Sequence, residues 1–174
     1  MTETLPAGAG ILVTRTLRKE KAVSNQTANR YAGFMKYLED SGIKDSYRIV
    51  DLEMKDDDEA LNIGLLAGIF DGHPHIKAAV TFNSKVYRLA MHIKSLGKTG
   101  ISLLGYDLPE RNVAYLHDGT VSHLIGQRPE KQAYCAVSDM CRVLIFGQQV
   151  NRINYMPIDI LIKENIDYYL NFKD

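Results

Sequence analysis

Short apolar runs alternate along the chain with longer stretches in which apolar residues recur every three or four positions. The runs are rich in β-branched residues, which is typical of buried strands, and they lie at 11–16, 47–53, 76–82, 101–107, about 121–126 and 156–163. The longer stretches, near 24–41, 56–72, 84–97 and 129–146, have the spacing of amphipathic helices. Strands that alternate with helices form a parallel sheet, because each helix carries the chain back across it. The pattern predicts an α/β fold with a doubly wound, mostly parallel sheet and helices on both faces.

The same pattern predicts a single domain over residues 11–174. Residues 1–10 precede the first strand and are expected to be either disordered or foreign to the natural chain. The acidic run Asp56–Glu59 is predicted to start a helix, since carboxylates there accept hydrogen bonds from free amides and oppose the helix dipole. A metal site is the alternative, but consecutive carboxylates point in different directions on a helix.

Charge argues against a free-standing nucleic-acid-binding domain. The formal net charge is +0, whereas such domains carry a concentrated positive face that neutralises phosphates. The densest basic stretch, Arg15–Lys21, is predicted to be a solvated loop rather than a phosphate site.

The chain also lacks signals for a membrane or for secretion. No apolar run is long enough to span a bilayer, and the first ten residues have no basic start followed by an apolar segment. Cys135 and Cys141 do not have the spacing of metal ligands, so we expect two buried free thiols in a reducing compartment. These features predict a cytoplasmic protein.

Polar residues follow several of the predicted strands at the point where each strand ends. Asn83 follows the third strand, Asp107 ends the fourth and Gln127 follows the fifth, while Arg30 lies near the start of the first helix. Because ligands of open parallel sheets bind beyond the carboxyl ends of the strands, we expect these four side chains to meet at one rim.

These residue types suit a ligand rich in hydroxyl groups. A carboxylate accepts from two adjacent hydroxyls, a guanidinium donates a rigid fork, and amides both donate and accept. Phe82 and Tyr106 flank the rim and are expected to cover the apolar face of a sugar. Each residue alone has a simpler explanation, since Asn83 could be a helix cap and Asp107 a turn residue.

Catalytic motifs are missing from the sequence. There is no nucleophile elbow, zinc-protease motif or P-loop, and the five histidines share no spacing. We expect no catalytic residue, no metal site and no cofactor.

Five short motifs resemble the LacI-type regulators that have a periplasmic-binding-protein-like sensor. They occur in the order and spacing of that family, from about residue 11 to 169. They are RYAGFMKYL at Arg30–Leu38, a strand exit at Asn83 followed by Arg88–Ala90, LLGYD at Leu103–Asp107, LIGQRP at Leu124–Pro129, and PIDILIKENIDYY at the end. Ser84 stands where the family has aspartate.

The resemblance implies one lobe of a type I periplasmic-binding-protein-like fold. It also implies that Arg30, Asn83 and Asp107 contact a sugar and that Gln127 lies beside the ligand and the hinge. The DNA-binding head and most of the first lobe have no counterpart in these residues. The helix at 129–146 would then lack its usual partner, which predicts a homodimer formed or swapped through its apolar stripe.

The sequence therefore predicts the sugar-sensing part of a LacI-type transcriptional regulator, which contacts DNA only through a separate N-terminal domain. Two alternatives remain open. One is a lobe of a transport-associated periplasmic sugar-binding protein, and the other is an α/β enzyme that uses Asp107 as a general acid or base.

Overall fold

The computed structural model describes residues 5–17, 24–56 and 58–171 of the chain. The strands are β1 (Gly10–Leu17), β2 (Arg48–Lys55), β3 (Ile76–Thr81), β4 (Ser102–Tyr106), β5 (His123–Gly126) and β6 (Asp159–Leu161). The helices are α1 (Asn25–Asp40), α2 (Glu59–Gly72), α3 (Val86–Ser95), α4 (Glu110–His117), α5 (Pro129–Leu144) and α6 (Ile166–Asn171), and Lys44–Ser46 forms a 3-10 turn. The predicted alternation is confirmed, and α4 and α6 are additions to it.

All six strands belong to one sheet with the order β2-β1-β3-β4-β5-β6. The pairings from β2 through β5 are parallel, and β6 is antiparallel to β5. The predicted mostly parallel, doubly wound sheet is thereby confirmed. The last strand is shorter than the predicted 156–163, because only Asp159–Leu161 pairs with β5.

Alternate residues along the central strands face two separate apolar layers. One layer contains Leu12 and Leu103 of the sheet with Leu66, Leu89 and Leu116 of α2, α3 and α4. The other contains Ile11, Val13 and Phe82 with Tyr31 and Phe34 of α1. Each fully buried leucine contributes about 1.5–3 kcal/mol of hydrophobic stabilisation. Helices thus cover both faces of the sheet, as the pattern predicted.

Two helices begin where the sequence indicated. The Ser24 side chain accepts a hydrogen bond from the Thr27 amide at 3.3 Å, and the Asp58 carboxylate accepts from the Leu61 amide at 2.9 Å. The acidic run is therefore a helix start, as predicted. Asp57 lies outside the described residues.

The N-terminal part of the described chain joins the fold earlier than residue 11. Leu5 packs against the α1 side of the sheet, Ala9 is buried and Gly10 already pairs in β1. The basic stretch that begins at Arg15 was predicted to be a loop, but its first residues belong to a strand. Arg15 lies within β1 and contacts Asp51 and Glu53. Its residues from 18 onward lie outside the described ranges.

Helix α5 does not cover the sheet. The chain leaves the sheet after Gly126 and re-enters it at Asp159, and these two residues are paired neighbours. A segment that leaves and returns at neighbouring strand ends need not cross a face of the sheet. Accordingly no residue of α5 is buried, and its apolar side chains Tyr134, Val137, Met140, Leu144 and the following Ile145 and Phe146 are exposed.

The position of α5 corrects the expectation for the two cysteines. Cys141 is exposed and Cys135 is half-buried, and both are free thiols. They are not buried because their helix contributes no residue to the core. None of the helices in the described ranges is long and apolar enough to cross a bilayer.

Buried histidines predict that the fold is acid-sensitive. His92 is fully buried, and neither ring nitrogen has a hydrogen-bond partner among the described residues. Burial lowers the pKa of His92, and loss of hydration has the same effect on the pKa of His75 and of His123, because a buried imidazolium has lost its water. An unfolded histidine titrates near pH ~6.5, so below that pH unfolding takes up protons.

We therefore expect the free energy of unfolding to be greatest above that pH and to fall as the pH drops towards the lowered pKa of the folded state. The loss from His92 is at most about 1.4 kcal/mol per pH unit. Urea unfolding of the wild type and of His92→Leu at about pH 5 to 7.5 measures this dependence. The variant should show a shallower pH dependence, and an unchanged one would contradict the prediction.

Candidate ligand-binding site

The predicted rim lies at the carboxyl ends of three neighbouring strands. Phe82 and Asn83 follow β3, Tyr106 ends β4 with Asp107 next to it, and Gln127 follows β5. Because β3, β4 and β5 are adjacent and parallel, these residues come to one edge of the sheet.

Arg30 of α1 reaches the same edge and connects its members. Its guanidinium donates to the Phe82 carbonyl oxygen at 2.8 Å through Nη1 and to Gln127 Oε1 at 2.9 Å through Nη2. The Gln127 side-chain amide in turn donates to the Asp107 carboxylate. The guanidinium also lies 4.0 Å from the centre of the Tyr106 ring. Arg30, Gln127 and Asp107 thus form one continuous hydrogen-bonded chain.

Asn83 occupies the same edge but is engaged locally. Its Nδ2 donates to Thr16 Oγ1 at 3.1 Å, and its Oδ1 accepts from the Lys85 amide at 2.8 Å. The side chain therefore supports the turn into α3 but is not the helix cap that the sequence left open, because Lys85 is the N-cap of α3 and no side chain caps that helix. Among the described residues no acceptor takes its second amide hydrogen, which can therefore serve a ligand.

The Phe82 ring does not lie on the rim surface. Its residue is only 2% exposed, and the ring packs against Tyr31, Phe34 and Tyr106 in the α1 layer. The expectation that this ring covers a sugar is therefore corrected: Phe82 contributes its carbonyl oxygen, which holds Arg30. Tyr106 is half-buried, and burial is the main cause that raises the pKa of its hydroxyl.

A residue that sequence reasoning missed holds two rim loops together. Asn112 of α4 is fully buried. Its Nδ2 donates to the carbonyl oxygens of Ser84, Tyr106 and Asp107 at 3.0–3.2 Å, and its Oδ1 accepts from the Tyr87 amide at 3.1 Å. The one available signal is its spacing of four from the buried Leu116, which marks it as a polar residue on the core face of a helix.

The backbone is strained at two residues of the rim. Asp107 and Arg128 have positive φ angles of 64° and 49°, which side chains other than glycine adopt at a cost of about 1 kcal/mol or more. The Asp107 amide donates to the Ile125 carbonyl oxygen at 2.9 Å. Such strain persists only where neighbouring contacts impose it, and it is frequent at ligand sites.

The charges at the rim balance, and no metal site is apparent. One guanidinium and one carboxylate face each other through a neutral amide, which suits an uncharged ligand with several hydroxyls. Among the described residues, no group of three or more His, Cys, Asp or Glu side chains is placed to hold a metal ion.

An open cavity of about 1430 Å³ adjoins the rim. Its lining includes Asp107 and Gln127 of the rim together with Tyr134 of α5 and Tyr168 of α6. Because Asp107 and Gln127 both line this space, it can admit a ligand that touches the Asp107 carboxylate and the Gln127 amide.

Comparisons with known proteins agree with this architecture. The sequence model of the periplasmic binding protein domain matches residues 1–149. A candidate LacI transcriptional regulator from Bacteroides fragilis is 40% identical, with a TM-score of 0.83 over 93% of this chain and 55% of that one. No protein of curated function is similar in sequence.

Two transport proteins share the fold at lower identity. A periplasmic ribose ABC transporter protein from Conexibacter woesei is 20% identical, with a TM-score of 0.75 over 98% of this chain and 56% of that one. A solute-binding protein from Actinobacillus succinogenes with bound D-allose is 18% identical, with a TM-score of 0.73 over 93% and 55%. The chain therefore spans about half the length of the proteins that it resembles.

Proposed function

The chain belongs to the periplasmic binding protein domain family, and from this premise we propose that it binds an uncharged, sugar-like effector at the Arg30–Gln127–Asp107 rim without catalysing a reaction. The observation that supports the proposal most is the continuous chain of hydrogen bonds from the Phe82 carbonyl through Arg30 and Gln127 to Asp107. It presents a donor, an amide and an acceptor side by side.

Each group has a role that a sugar can satisfy. The Asp107 carboxylate accepts from two neighbouring hydroxyls, and the Arg30 fork donates to ring or hydroxyl oxygens. Gln127 donates and accepts, while Asn83 offers one further amide hydrogen. The exposed part of the Tyr106 ring can cover an apolar sugar face. A bound sugar then exchanges its hydrogen bonds to water for hydrogen bonds to a rim whose parts already hold one another in place.

We assign this binding to a LacI-type regulator in the cytoplasm. The support is the 40% identity to the candidate regulator from Bacteroides fragilis, compared with 18–20% for the transport proteins. The zero net charge suits a lobe that contacts DNA only through a separate N-terminal domain. The gene sequence upstream of Met1 tests this: a helix-turn-helix there supports a regulator, and a secretion signal supports the transport alternative.

We expect the isolated chain to bind sugars weakly, with a dissociation constant of about 1 mM or above, because a second lobe would supply much of the burial. Nuclear magnetic resonance titration with D-ribose, D-allose, D-glucose and D-galactose should shift the side-chain amide signals of Gln127. Asp107→Asn should weaken the binding about tenfold or more.

Asp118→Asn is the matched control, since Asp118 ends α4 and pairs with Lys94 away from the rim. If none of the four sugars shifted the signals of rim residues at high concentration, the result would contradict the proposed site. Equal binding by Asp107→Asn and by the wild type would contradict the role of the carboxylate.

We further propose that two copies of the chain associate through α5 and β6. Besides the exposed stripe of α5, Ile158 and Ile160 at β6 are also exposed, and β6 is the outer strand at its edge of the sheet. A second copy could cover the stripe and pair with this free edge. Light scattering on a sizing column at tens of micromolar should give the mass of a dimer, whereas a clean monomer would contradict the association.

A further inference from the structure

One ion pair joins the two connections between the sheet and α5. Arg128 is the last residue before α5, and Asp159 is the first residue of β6. The Arg128 guanidinium donates to the two carboxylate oxygens of Asp159, at 2.8 Å through Nε and at 3.2 Å through Nη2. A two-pronged contact of this kind fixes the relative position of both groups, not only their distance.

The pair is partly sheltered by α6. Its side chains are 31% and 23% exposed, and the guanidinium lies 5.6 Å from the centre of the Tyr169 ring. Tyr169 also packs against Gly126, where an added Cβ would stand 3.2 Å from the Tyr169 hydroxyl oxygen. A sheltered, two-pronged pair is held more firmly than an exposed surface pair.

Packing does not fix the direction of α5, although Asn154, in the segment that follows the helix, donates to the Asp139 carboxylate of α5 at 3.0 Å. No residue of the helix is buried, so packing against the core does not orient it. The helix begins at Pro129, directly after the strained backbone of Arg128 with its φ of 49°. The direction of the helix therefore depends on the conformation of Arg128, and the contacts of its side chain maintain that conformation.

The same residue adjoins the proposed ligand site. Gln127 precedes Arg128, and Gln132 in the first turn of α5 donates to the Gln127 carbonyl oxygen at 2.6 Å. The Gln127 side chain meanwhile contacts Arg30 and Asp107. Gln127 is thus held by the rim on one side and by the start of α5 on the other.

We propose that Arg128, Asp159 and Tyr169 form a clamp that sets the direction in which α5 leaves the sheet and positions Gln127 in the rim. A ligand that engages Gln127 then favours one direction of α5, and by thermodynamic reciprocity the direction of α5 alters the affinity for the ligand. This last consequence rests on the proposed function, whereas the clamp itself does not.

The direction of α5 can be measured without a ligand. Nitroxide labels on Cys141 of α5 and on Ala114→Cys of α4, both exposed positions, report the distance between helix and lobe in a Cys135→Ser background. Labelled protein is diluted with unlabelled protein so that distances between copies do not contribute. In Asp159→Ala we expect the distance distribution to become about twice as wide or to shift by several ångströms.

Two further variants separate the clamp from a general loss of stability. Asp159→Asn keeps the shape of the side chain and removes its charge, so it should broaden the distribution less than Asp159→Ala. Asp40→Ala removes the exposed Lys36–Asp40 pair of α1 and should leave the distribution unchanged. A distribution in Asp159→Ala equal to that of the wild type would overturn the clamp.

The positioning of Gln127 has its own readout. Its side-chain amide signals should move or broaden in Asp159→Ala and stay in place in Asp40→Ala, and unchanged signals would overturn this half of the proposal. With D-ribose or D-allose as probe, the affinity of Asp159→Ala should be about tenfold lower than that of the wild type. Failure of the wild type to bind would count against the proposed function alone, because the label distances still decide the clamp.

Discussion

Gly105→Ala should destabilise the fold by about 3 kcal/mol or more, because the added methyl group has no room. Gly105 is a buried residue of β4, and a Cβ at this position would overlap Cβ and Cγ1 of Val86. Val86 is itself fully buried in the first turn of α3. The clash involves an atom bonded directly to the backbone, so a rotamer change cannot relieve it. The first turn of α3 would have to move away from the sheet.

Gly64→Ala is the matched control for this substitution. Gly64 lies inside α2, and an added Cβ would meet no atom within 4 Å. The same methyl group should there stabilise the chain by about 0.5–1 kcal/mol, because alanine favours helix over the unfolded state. Urea unfolding of both variants measures the two effects. A loss of less than about 1 kcal/mol for Gly105→Ala would show that the sheet and α3 separate easily.

Asn112→Leu should cost about 3 kcal/mol and should also disturb the ligand rim, because one side chain serves four backbone groups. Leucine would fill a similar volume but would leave the Ser84, Tyr106 and Asp107 carbonyls and the Tyr87 amide without this partner. Asp107 would then lose one of the contacts that hold its strained backbone. We therefore expect a lower free energy of unfolding. The nuclear magnetic resonance signals of the rim residues should also change more than in a variant that is destabilised elsewhere.

A second buried asparagine provides the control. Asn62 of α2 is also fully buried, and among the described residues its side chain bonds the amide and carbonyl of Lys55, at 2.8 and 2.7 Å. Asn62→Leu should lower the unfolding free energy as well, while the signals of Gln127 and its response to sugar stay as in the wild type. If both variants altered the rim equally, Asn112 would have no special role there.

Helix α4 was not predicted, because its core face does not follow the apolar pattern of an amphipathic helix. Its core face carries Asn112 and Leu116, so a polar residue stands where the apolar period requires a hydrophobic one. Such a position looks exposed in a sequence, because the pattern records only the residue type. Its burial is favourable only because four backbone groups of other segments converge on it, and those groups come from the packing of β4 and α3.

For the candidate site, the sequence predicted the positions of the residues but not their contacts. The sequence placed Asn83, Asp107 and Gln127 at strand ends, since strand ends follow from the local pattern. It did not indicate that Asn83 supports a turn, that the Phe82 ring lies in the core, or that Arg128 meets Asp159. Each of these contacts joins residues whose distance depends on strand order and on how deeply each helix packs.

The order and type of the secondary elements other than α4 and α6, and the edge of the sheet at which the polar residues gather, were determined by the sequence alone, because apolar periodicity and helix caps act over a few neighbouring residues. The partners of Arg30 and the burial of Phe82 and Asn112 were decided only by the tertiary structure. Their physical reason is common to all: burial and hydrogen bonding depend on which distant segments fill the surrounding space. Local sequence does not contain that information.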